Sequence, residues 1–147
     1  FPFIFEILNS LIMIRLEHVG IAVENLKEAN VLFEKLFGRL PYKEEHVDSE
    51  KVTTSFFQIG ESKIELVGSD ENQTTAISKY IEKRGPGIHH LAFEVDDIFH
   101  SMKEMEEKGF QLLSPTPKLG ADNKLVCFLH PKTTNGVLVE LCQSIKP

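Results

Sequence analysis

The alternation of hydrophobic and polar residues divides the chain into short strands and amphipathic helices. Two segments, LEHVGIAV at 16–23 and IHHLAFEV at 88–95, alternate with the period of two that is typical of strands. An acidic turn that can cap a helix follows each segment, and apolar residues at helical spacing come next. Each segment therefore predicts a strand followed by a helix. The apolar helix positions are Leu26, Ala29, Phe33 and Leu36 in the first copy and Ile98, Met102 and Met105 in the second.

The two segments belong to an internal repeat. Placing residues 16–38 over residues 88–109 brings His18 onto His90 and aligns the two closing glycines after one deletion. Three β-like stretches follow each predicted helix, so we predict an α+β fold of two tandem βαβββ modules. These stretches are residues 40–47, 52–59 and 63–67 in the first module and residues 110–113, 125–129 and 137–141 in the second.

The repeat also predicts the domain organisation. We expect one domain at 14–143, with a first module at about 14–67, a linker at 68–86 and a second module at about 87–143. Neither half is long enough to bury much apolar surface alone, so the linker separates modules and not domains. Within the linker, residues 74–84 predict a short helix that GPG at 85–87 stops. Residues 1–13 are interpreted as an N-terminal extension that is too short and too interrupted to span a bilayer.

Composition and charge narrow the possible partners. The chain has 147 residues, 41% of them hydrophobic, which is enough for one sizeable core. Its formal charge of -6 is spread along the chain, without a basic stripe for nucleic acid or a cationic amphipathic helix for a membrane. We therefore expect a small-molecule partner. Cys127 and Cys142 are the only two cysteines and show no CxxC spacing, which favours a reducing, cytoplasmic location.

Four residues stand out as candidate metal ligands. Alternation in HVGIAV and HLAFEV places His18 and His90 on matching faces, opposite the large apolar residues, and puts His89 at the apolar face or its edge in a structural or rim role. Glu65 in KIELV and Glu140 in LVELC are lone carboxylates in apolar strands. Taken singly, each is most simply a water-facing residue. The pairs His18/Glu65 and His90/Glu140 nevertheless occupy matching places in the repeat.

If the two modules pack about a pseudo-twofold axis, the two histidines and two glutamates converge. We therefore predict a curled mixed sheet around a metal-binding cleft. Two imidazoles and two carboxylates suit a first-row divalent ion such as Co, Mn, Ni, Zn or Fe, and this donor set does not select one of them. An ion with open coordination positions could bind substrate oxygens and, as a Lewis acid, make the C–H next to a carbonyl acidic.

These motifs resemble the vicinal oxygen chelate (glyoxalase/bleomycin resistance/dioxygenase) superfamily. LEHVGIAVENL, KIELV, IEKRGPGIHHLAFEVDDI and FLHPKTTNGVLVELC look closely like the methylmalonyl-CoA epimerase family, and the resemblance covers about residues 14–143. It implies that His18, Glu65, His90 and Glu140 bind one divalent ion, with Co or Zn favoured. It further implies a homodimeric isomerase that interconverts the (R) and (S) forms of methylmalonyl-CoA by α-proton abstraction through a metal-stabilised enolate, with Glu140 as one acid or base.

Several alternatives remain open at this point. Residues 51–60 contain no carboxylate, so the second acid or base would be Thr54, Lys51 or a water. Lys118, Gly120 and Lys132 are candidates for coenzyme A phosphate contacts or an entrance loop, although each is more simply a solvated loop residue. A glyoxalase I-type lactoylglutathione lyase shares the four-ligand plan, and a non-catalytic small-molecule-binding protein on the same fold is also possible. An extradiol dioxygenase fits less well because that chemistry uses two histidines and one carboxylate on Fe(II).

Overall fold

The computed structural model describes residues 13–146, so the predicted extension at 1–13 lies outside the described residues except for Met13. Its element order is two copies of strand, helix and three strands, joined by a connecting helix. The first copy contains β1 (Arg15–Val23), α1 (Leu26–Phe37), β2 (Lys43–Val47), β3 (Val52–Ile59) and β4 (Ser62–Ser69). The connecting helix α2 (Ala76–Arg84) leads to β5 (Gly87–Glu94), α3 (Ile98–Glu107), β6 (Lys118–Gly120), β7 (Lys124–Leu129), a 3-10 turn (Pro131–Thr133) and β8 (Val139–Ser144).

All eight strands form one mixed sheet in the order β2-β3-β4-β1-β5-β8-β7-β6. The first strands of the two copies, β1 and β5, pair antiparallel at the centre. Each is also parallel to the last strand of its own copy, β1 to β4 and β5 to β8. This mirrored order confirms the predicted α+β fold with the βαβββ unit repeated, and it places the predicted histidine strands side by side.

The helices cover the sheet and are anchored at matching positions. The side chain of Asn25 accepts a hydrogen bond from the backbone N–H of Glu28 at the start of α1, and Asp97 caps α3 in the same way through His100. Helix α1 packs on Val23, Phe57 and Leu66, whereas α3 contributes to a larger core. The buried members of that core are Val95, Ile98, Met102, Met105, Cys127, Leu129 and Leu141.

Helix α2 packs against a different apolar cluster. Its Ile77 is buried with Ala22, Val52 and Val67, and Ala22 lies on the same side of β1 as His18. Helix α2 therefore forms one wall of the cleft that the sheet curls around, while α1 and α3 support the sheet from its outer surface. Among residues 13–146, no helix is both long and apolar enough to cross a membrane.

One predicted strand is wrong. Residues 110–113 form only an isolated bridge, between Leu112 and Leu129, and the outermost strand of the second copy is Lys118–Gly120. Phe110 and Leu112 instead pack on the core beneath α3, so burial and not strand pairing explains their apolar character. The connecting helix also begins at Ala76 and not at residue 74, because Thr75 is its N-cap and forms a capping box with Ser78.

Candidate metal centre

The two histidines meet at the centre of the sheet. His18 on β1 and His90 on β5 are each 5% exposed, and their Nε2 atoms lie 3.1 Å apart although the residues are 72 positions apart in sequence. The strand register explains their proximity, since His90 pairs with Gly20 and His18 pairs with Ala92. The two small residues leave room for the rings on the concave face of the sheet.

The two glutamates come from the strands on either side. Glu65 Oε2 on β4 lies 2.9 Å from His18 Nε2 and 3.6 Å from His90 Nε2. The Glu140 carboxylate on β8 lies 3.5 Å from His18 Nε2 and 3.7 Å from His90 Nε2. Both glutamates are buried, at 7% and 6% exposure. The structure thus brings all four predicted site residues together.

This donor set fits a metal ion. Ligand atoms of His18, Glu65 and His90 all lie within 4.8 Å of one another, and the Glu140 oxygens are close to both imidazoles. Two donors on one first-row ion lie roughly 3.0–3.5 Å apart, because metal–ligand bonds are about 2.0–2.2 Å long. Since two carboxylates this deeply buried are costly without a compensating cation, the donors match a divalent ion in both spacing and charge.

Gly20 makes room for the imidazole of His90. A Cβ atom at position 20 would lie 2.0 Å from Cε1 and 2.4 Å from Nδ1 of the His90 ring. Any side chain there would therefore overlap the ring and push it away from the other three donors. Strand alternation places Gly20 on the same face as His18, but it gives no cross-strand distances and so does not reveal this close approach.

The residue before each histidine also contacts the site. Glu17 Oε1 lies 3.1 Å from His18 Nδ1, and His89 Nδ1 lies 2.9 Å from His90 Nδ1. Strand alternation would place these neighbours on the opposite face, and it led to the expectation of His89 at the apolar face or rim. His89 instead lines the cavity next to the site. The repeat itself held a signal for both residues, since a polar residue precedes each aligned histidine.

Burial and hydrogen bonding oppose each other in setting the protonation of these groups. Burial would lower the pKa of His18, but hydrogen bonds with Glu17 and Glu65 outweigh it and raise the pKa to about 10. Burial would raise the pKa of Glu65, yet contacts with the two imidazoles hold it well below its usual range. For Glu140, burial dominates and the pKa is raised. The two glutamates are therefore not electrostatically equivalent.

A charged network lies beneath His18. Glu17 is 1% exposed and its Oε2 lies 3.0 Å from Lys63 Nζ, which in turn lies 2.8 Å from Asp122. Asp122, at the tip of the β6–β7 hairpin, also contacts Lys43 Nζ at 3.1 Å and accepts a hydrogen bond from the Tyr42 hydroxyl at 3.0 Å. This network joins a hairpin of the second copy to strands of the first and so helps to close the curled sheet.

A cavity of about 290 Å³ opens beside the site. Glu65, His90 and Glu140 form its polar floor, and most of its wall is apolar. The apolar lining residues are Val47, Val52, Phe56, Val67, Ala76, Ile77, Leu113, Leu119, Ala121, Val126, Phe128 and Leu138. A small polar floor under apolar walls is typical of a small-molecule site.

The other candidates from the sequence fall in several places. Thr54, Lys118 and Gly120 line this cavity, whereas Lys51 is exposed at a turn and does not. Lys132 lies with Tyr80 and Arg84 along a second, adjoining groove that also contacts His89 and His90. Two further histidines lie away from the site: His46 is at the surface between Asp48 and Asp70, and His100 is exposed on α3.

Comparisons with known proteins show which family the chain belongs to. The model of the Glyoxalase/Bleomycin resistance protein/Dioxygenase superfamily matches residues 17–128. The mitochondrial methylmalonyl-CoA epimerase of Dictyostelium discoideum is 41% identical over 128 residues, which cover 86% of this chain and 76% of that protein. The ethylmalonyl-CoA/methylmalonyl-CoA epimerase of Cereibacter sphaeroides is 38% identical over 131 residues, which cover 88% of this chain and 97% of that protein. The structure of a Streptomyces coelicolor methylmalonyl-CoA epimerase variant with 2-nitronate-propionyl-CoA superposes with a TM-score of 0.85 at 29% identity, over 93% of this chain and 100% of that one.

Proposed function

Since the chain belongs to the glyoxalase/bleomycin resistance protein/dioxygenase superfamily and, within it, to the methylmalonyl-CoA epimerases, we propose that it interconverts the (R) and (S) forms of methylmalonyl-CoA. The observation that carries the proposal is the convergence of His18, Glu65, His90 and Glu140 at the floor of an apolar cavity. Epimerisation requires removal of the α-proton and its return on the opposite face. Both transfers need groups that reach the cavity.

The four converging residues are the proposed ligands of one divalent ion, and within the set Co, Mn, Ni, Zn and Fe we favour Co or Zn. Bound there, such an ion would supply Lewis acidity, which polarises a carbonyl oxygen and makes the neighbouring C–H more acidic. The chain provides the surroundings that this chemistry needs. Apolar side chains such as Phe56 and Phe128 line the cavity, and surroundings of low polarity strengthen electrostatic interactions.

Glu140 is the proposed acid or base for one face of the substrate. Its carboxylate lines the cavity and lies further from His18 than the Glu65 carboxylate does, at 3.5 Å against 2.9 Å. Glu140 is therefore the less tightly held of the two glutamates and the better placed to exchange a proton with a bound molecule.

In this proposal, the second acid or base, which exchanges a proton with the other face of the substrate, lies on the cavity wall opposite Glu140. Of the two candidate residues, Thr54 on β3 lines the cavity and its hydroxyl donates a hydrogen bond to the backbone O of Glu45. Lys51, in the turn before β3, does not line it. Among the described lining residues, the one further carboxylate is Glu50, half exposed at the mouth and 3.6 Å from Lys118 Nζ. We assign the second proton transfer to this wall, with Thr54 as its innermost polar group.

The remaining assignments concern the surroundings of the site. Lys118 at the cavity mouth and Lys132 in the adjoining groove are the proposed contacts for the phosphates of coenzyme A. A homodimer is proposed because α1 exposes an apolar face whose Val31, Leu32 and Leu36 are 64%, 60% and 68% exposed. A cytoplasmic location is proposed because Cys127 and Cys142 are both free and buried, as is usual in a reducing compartment.

The test is exchange of the α-proton of methylmalonyl-CoA in deuterated water, followed by NMR with metal-free and metal-loaded protein. We expect exchange only with metal, and a loss of at least about 100-fold in Glu140→Ala, because a positioned acid or base contributes about 10²–10⁴-fold. Glu24→Ala, an exposed carboxylate outside the site, is the matched control and should exchange like the wild type. Turnover of a glutathione hemithioacetal without exchange would instead favour the lyase, and neither metal affinity nor turnover would favour the binding protein.

A further inference from the structure

The two central strands carry the same irregularity at the same place in the repeat. On β1, the pairing with β5 shifts between Leu16 and His18, which leaves Glu17 as an extra residue. On β5, His90 pairs with Gly20 and Ile88 with Ile21, which leaves His89 as an extra residue. A β-bulge of this kind re-aims side chains and is common next to functional sites. Both bulges lie immediately before a predicted histidine ligand.

Each bulged residue contacts the same ring atom of the histidine that follows it. Glu17 Oε1 lies 3.1 Å from Nδ1 of His18, and Nδ1 of His89 lies 2.9 Å from Nδ1 of His90. The Nε2 atoms of both histidines face the other donors of the site and lie 3.1 Å apart. The bulges thus give both histidines one arrangement, with Nε2 directed into the site and Nδ1 held from behind.

Ligand chemistry fixes the direction of these two hydrogen bonds. A histidine that binds an ion through Nε2 must keep its lone pair there, so its single proton resides on Nδ1 and is donated. For His18 the acceptor is the Glu17 carboxylate. For His90 the acceptor must be Nδ1 of His89, which places the proton of His89 on its own Nε2.

We propose that His89 is a positioning residue for His90, the counterpart in the second module of Glu17 for His18. The proposal rests on the proposed metal centre but not on the identity of the substrate. Tyr80 keeps the His89 ring in place: the two rings meet edge to face at 4.9 Å, and the Tyr80 hydroxyl donates a hydrogen bond to the backbone O of Ile88 within the bulge. Among the described residues, Nε2–H of His89 has no partner, so it remains available to an oxygen of a molecule in the cavity.

The first test measures Co(II) affinity of the full-length protein from the visible absorption of the bound ion. His89→Leu removes the acceptor at similar size and should weaken Co(II) binding by about 10–100-fold, the usual effect of losing the partner of a ligating histidine. His89→Gln restores an acceptor through its amide oxygen and should bind within about threefold of the wild type. Circular dichroism and thermal unfolding of the metal-free variants verify that both are folded.

Each outcome bears on the proposal. If His89→Leu binds Co(II) as tightly as the wild type does, the proposal is wrong. It is also wrong if His89→Leu and His89→Gln lose Co(II) affinity equally, because the hydrogen-bond acceptor at residue 89 would then not determine the affinity. If the wild type itself gives no Co(II) spectrum, the metal centre and this inference are both wrong. If Co(II) binds as expected but methylmalonyl-CoA is not a substrate, the positioning role stands and the proposed function does not.

The second test observes the proton directly. In Zn(II)-loaded protein labelled with 15N-histidine, the ring 15N shifts and couplings distinguish Nδ1–H from Nε2–H tautomers. The chain has six histidines, so the signals of His89 can be assigned by their loss in His89→Leu. We expect Nδ1–H for His90 and Nε2–H for His89. A proton on Nδ1 of His89 would contradict the proposed direction of the hydrogen bond.

Discussion

The two modules place one histidine and one glutamate each at the same site, yet they support their histidines with different chemistry. In the first module, Nδ1 of His18 meets the buried carboxylate of Glu17, which lies 3.0 Å from Lys63. In the second, Nδ1 of His90 meets the ring of His89, which packs on Tyr80. Burial and the neighbouring His90 lower the pKa of His89 to about 4, which favours its neutral form. A duplicated backbone irregularity can therefore keep its structural role while the residue that fills it changes from charged to neutral.

The modules also differ in the space that they give each other's histidine. His18 pairs across the strands with Ala92, and His90 pairs with Gly20, two positions that correspond in the repeat. The ring of His90 fills the place that a Cβ of residue 20 would occupy, whereas Ala92 keeps its methyl group and is fully buried. The pseudo-twofold symmetry is thus inexact at the rings, and only the first module needs a glycine here.

The largest expected effect comes from replacing Gly20 with alanine, the residue that stands at the corresponding position 92 of the second module. Gly20→Ala adds a Cβ 2.0 Å from Cε1 of His90, so the ring must leave its place among the four donors. We expect α-proton exchange to fall by at least about 100-fold, since a displacement of about 1 Å can cost that much, and Co(II) affinity to fall with it.

Ala92→Gly is the matched control for Gly20→Ala. It should retain metal binding and lose only about 0.5–1 kcal/mol of unfolding free energy, the usual cost of a glycine in a strand. If Gly20→Ala kept Co(II) affinity within threefold of the wild type, the close approach of His90 to residue 20 would not be important for the site.

The second prediction compares the charged partner of His18, which is Glu17, with the neutral partner of His90, which is His89. In metal-free protein, Glu17→Leu leaves Lys63 with only one of its two carboxylate partners in a largely buried setting, and breaking such a pair costs about 3 kcal/mol or more of unfolding free energy. His89→Leu has no ion pair to break and should cost only about 1 kcal/mol, the usual contribution of one neutral hydrogen bond. Urea denaturation of the two variants measures the difference, and equal losses would contradict the contrast between the modules.

The smallest effect concerns the hairpin tip that joins the modules. Burial would raise the pKa of Asp122, but Lys63 and Lys43 outweigh it and hold the pKa below its usual range. A carboxyl group whose pKa is lowered by folding adds stability above its unfolded pKa of about 3.9, and this contribution is lost as the pH falls below that value. Asp122→Asn should therefore cost roughly 1–2 kcal/mol near pH 6, and its difference from the wild type should shrink below about pH 4.

The choice of asparagine isolates the charge in that experiment. Residue 122 has φ of 58°, a left-handed conformation that Asn and Asp both tolerate. The comparison variant is Lys118→Ala, which removes the half-exposed contact with Glu50 at the cavity mouth and should change stability by less than about 1 kcal/mol. A difference between Asp122→Asn and the wild type that does not vary between pH 6 and pH 3 would mean that the ion pairs contribute nothing.

The sequence predicted the repeated part of the fold because the repeat is visible in its alternating and helical periods. Strand β3 was predicted at its observed bounds of Val52–Ile59. The prediction failed at residues 110–113, where the modules diverge and apolar residues pack beneath α3 without entering the sheet. Periodicity reports which side of a segment is buried, and it cannot distinguish a strand from a loop that packs on the core.

In the candidate site, the sequence predicted those residues that have a counterpart in the other module. His18, His90, Glu65 and Glu140 could be found because each has a counterpart in the other module. Alternation did not predict the contacts of Glu17 and His89 with the two histidines, because a bulge breaks the period of two. It also did not predict the role of Gly20, because a close cross-strand approach leaves no trace in it. Prediction from sequence periodicity is least informative at such irregular positions, which are frequently functional.

The position of β8 in the sheet has a consequence for biosynthesis. This strand is the last of the eight in the chain, yet it lies between β5 and β7 and carries Glu140. A nascent chain presents His18, Glu65 and His90 long before β8 leaves the ribosome, and long-range strand pairing of this kind is slow. The complete donor set thus forms only when β8 inserts between β5 and β7, so binding of a divalent ion at full affinity would require this late pairing.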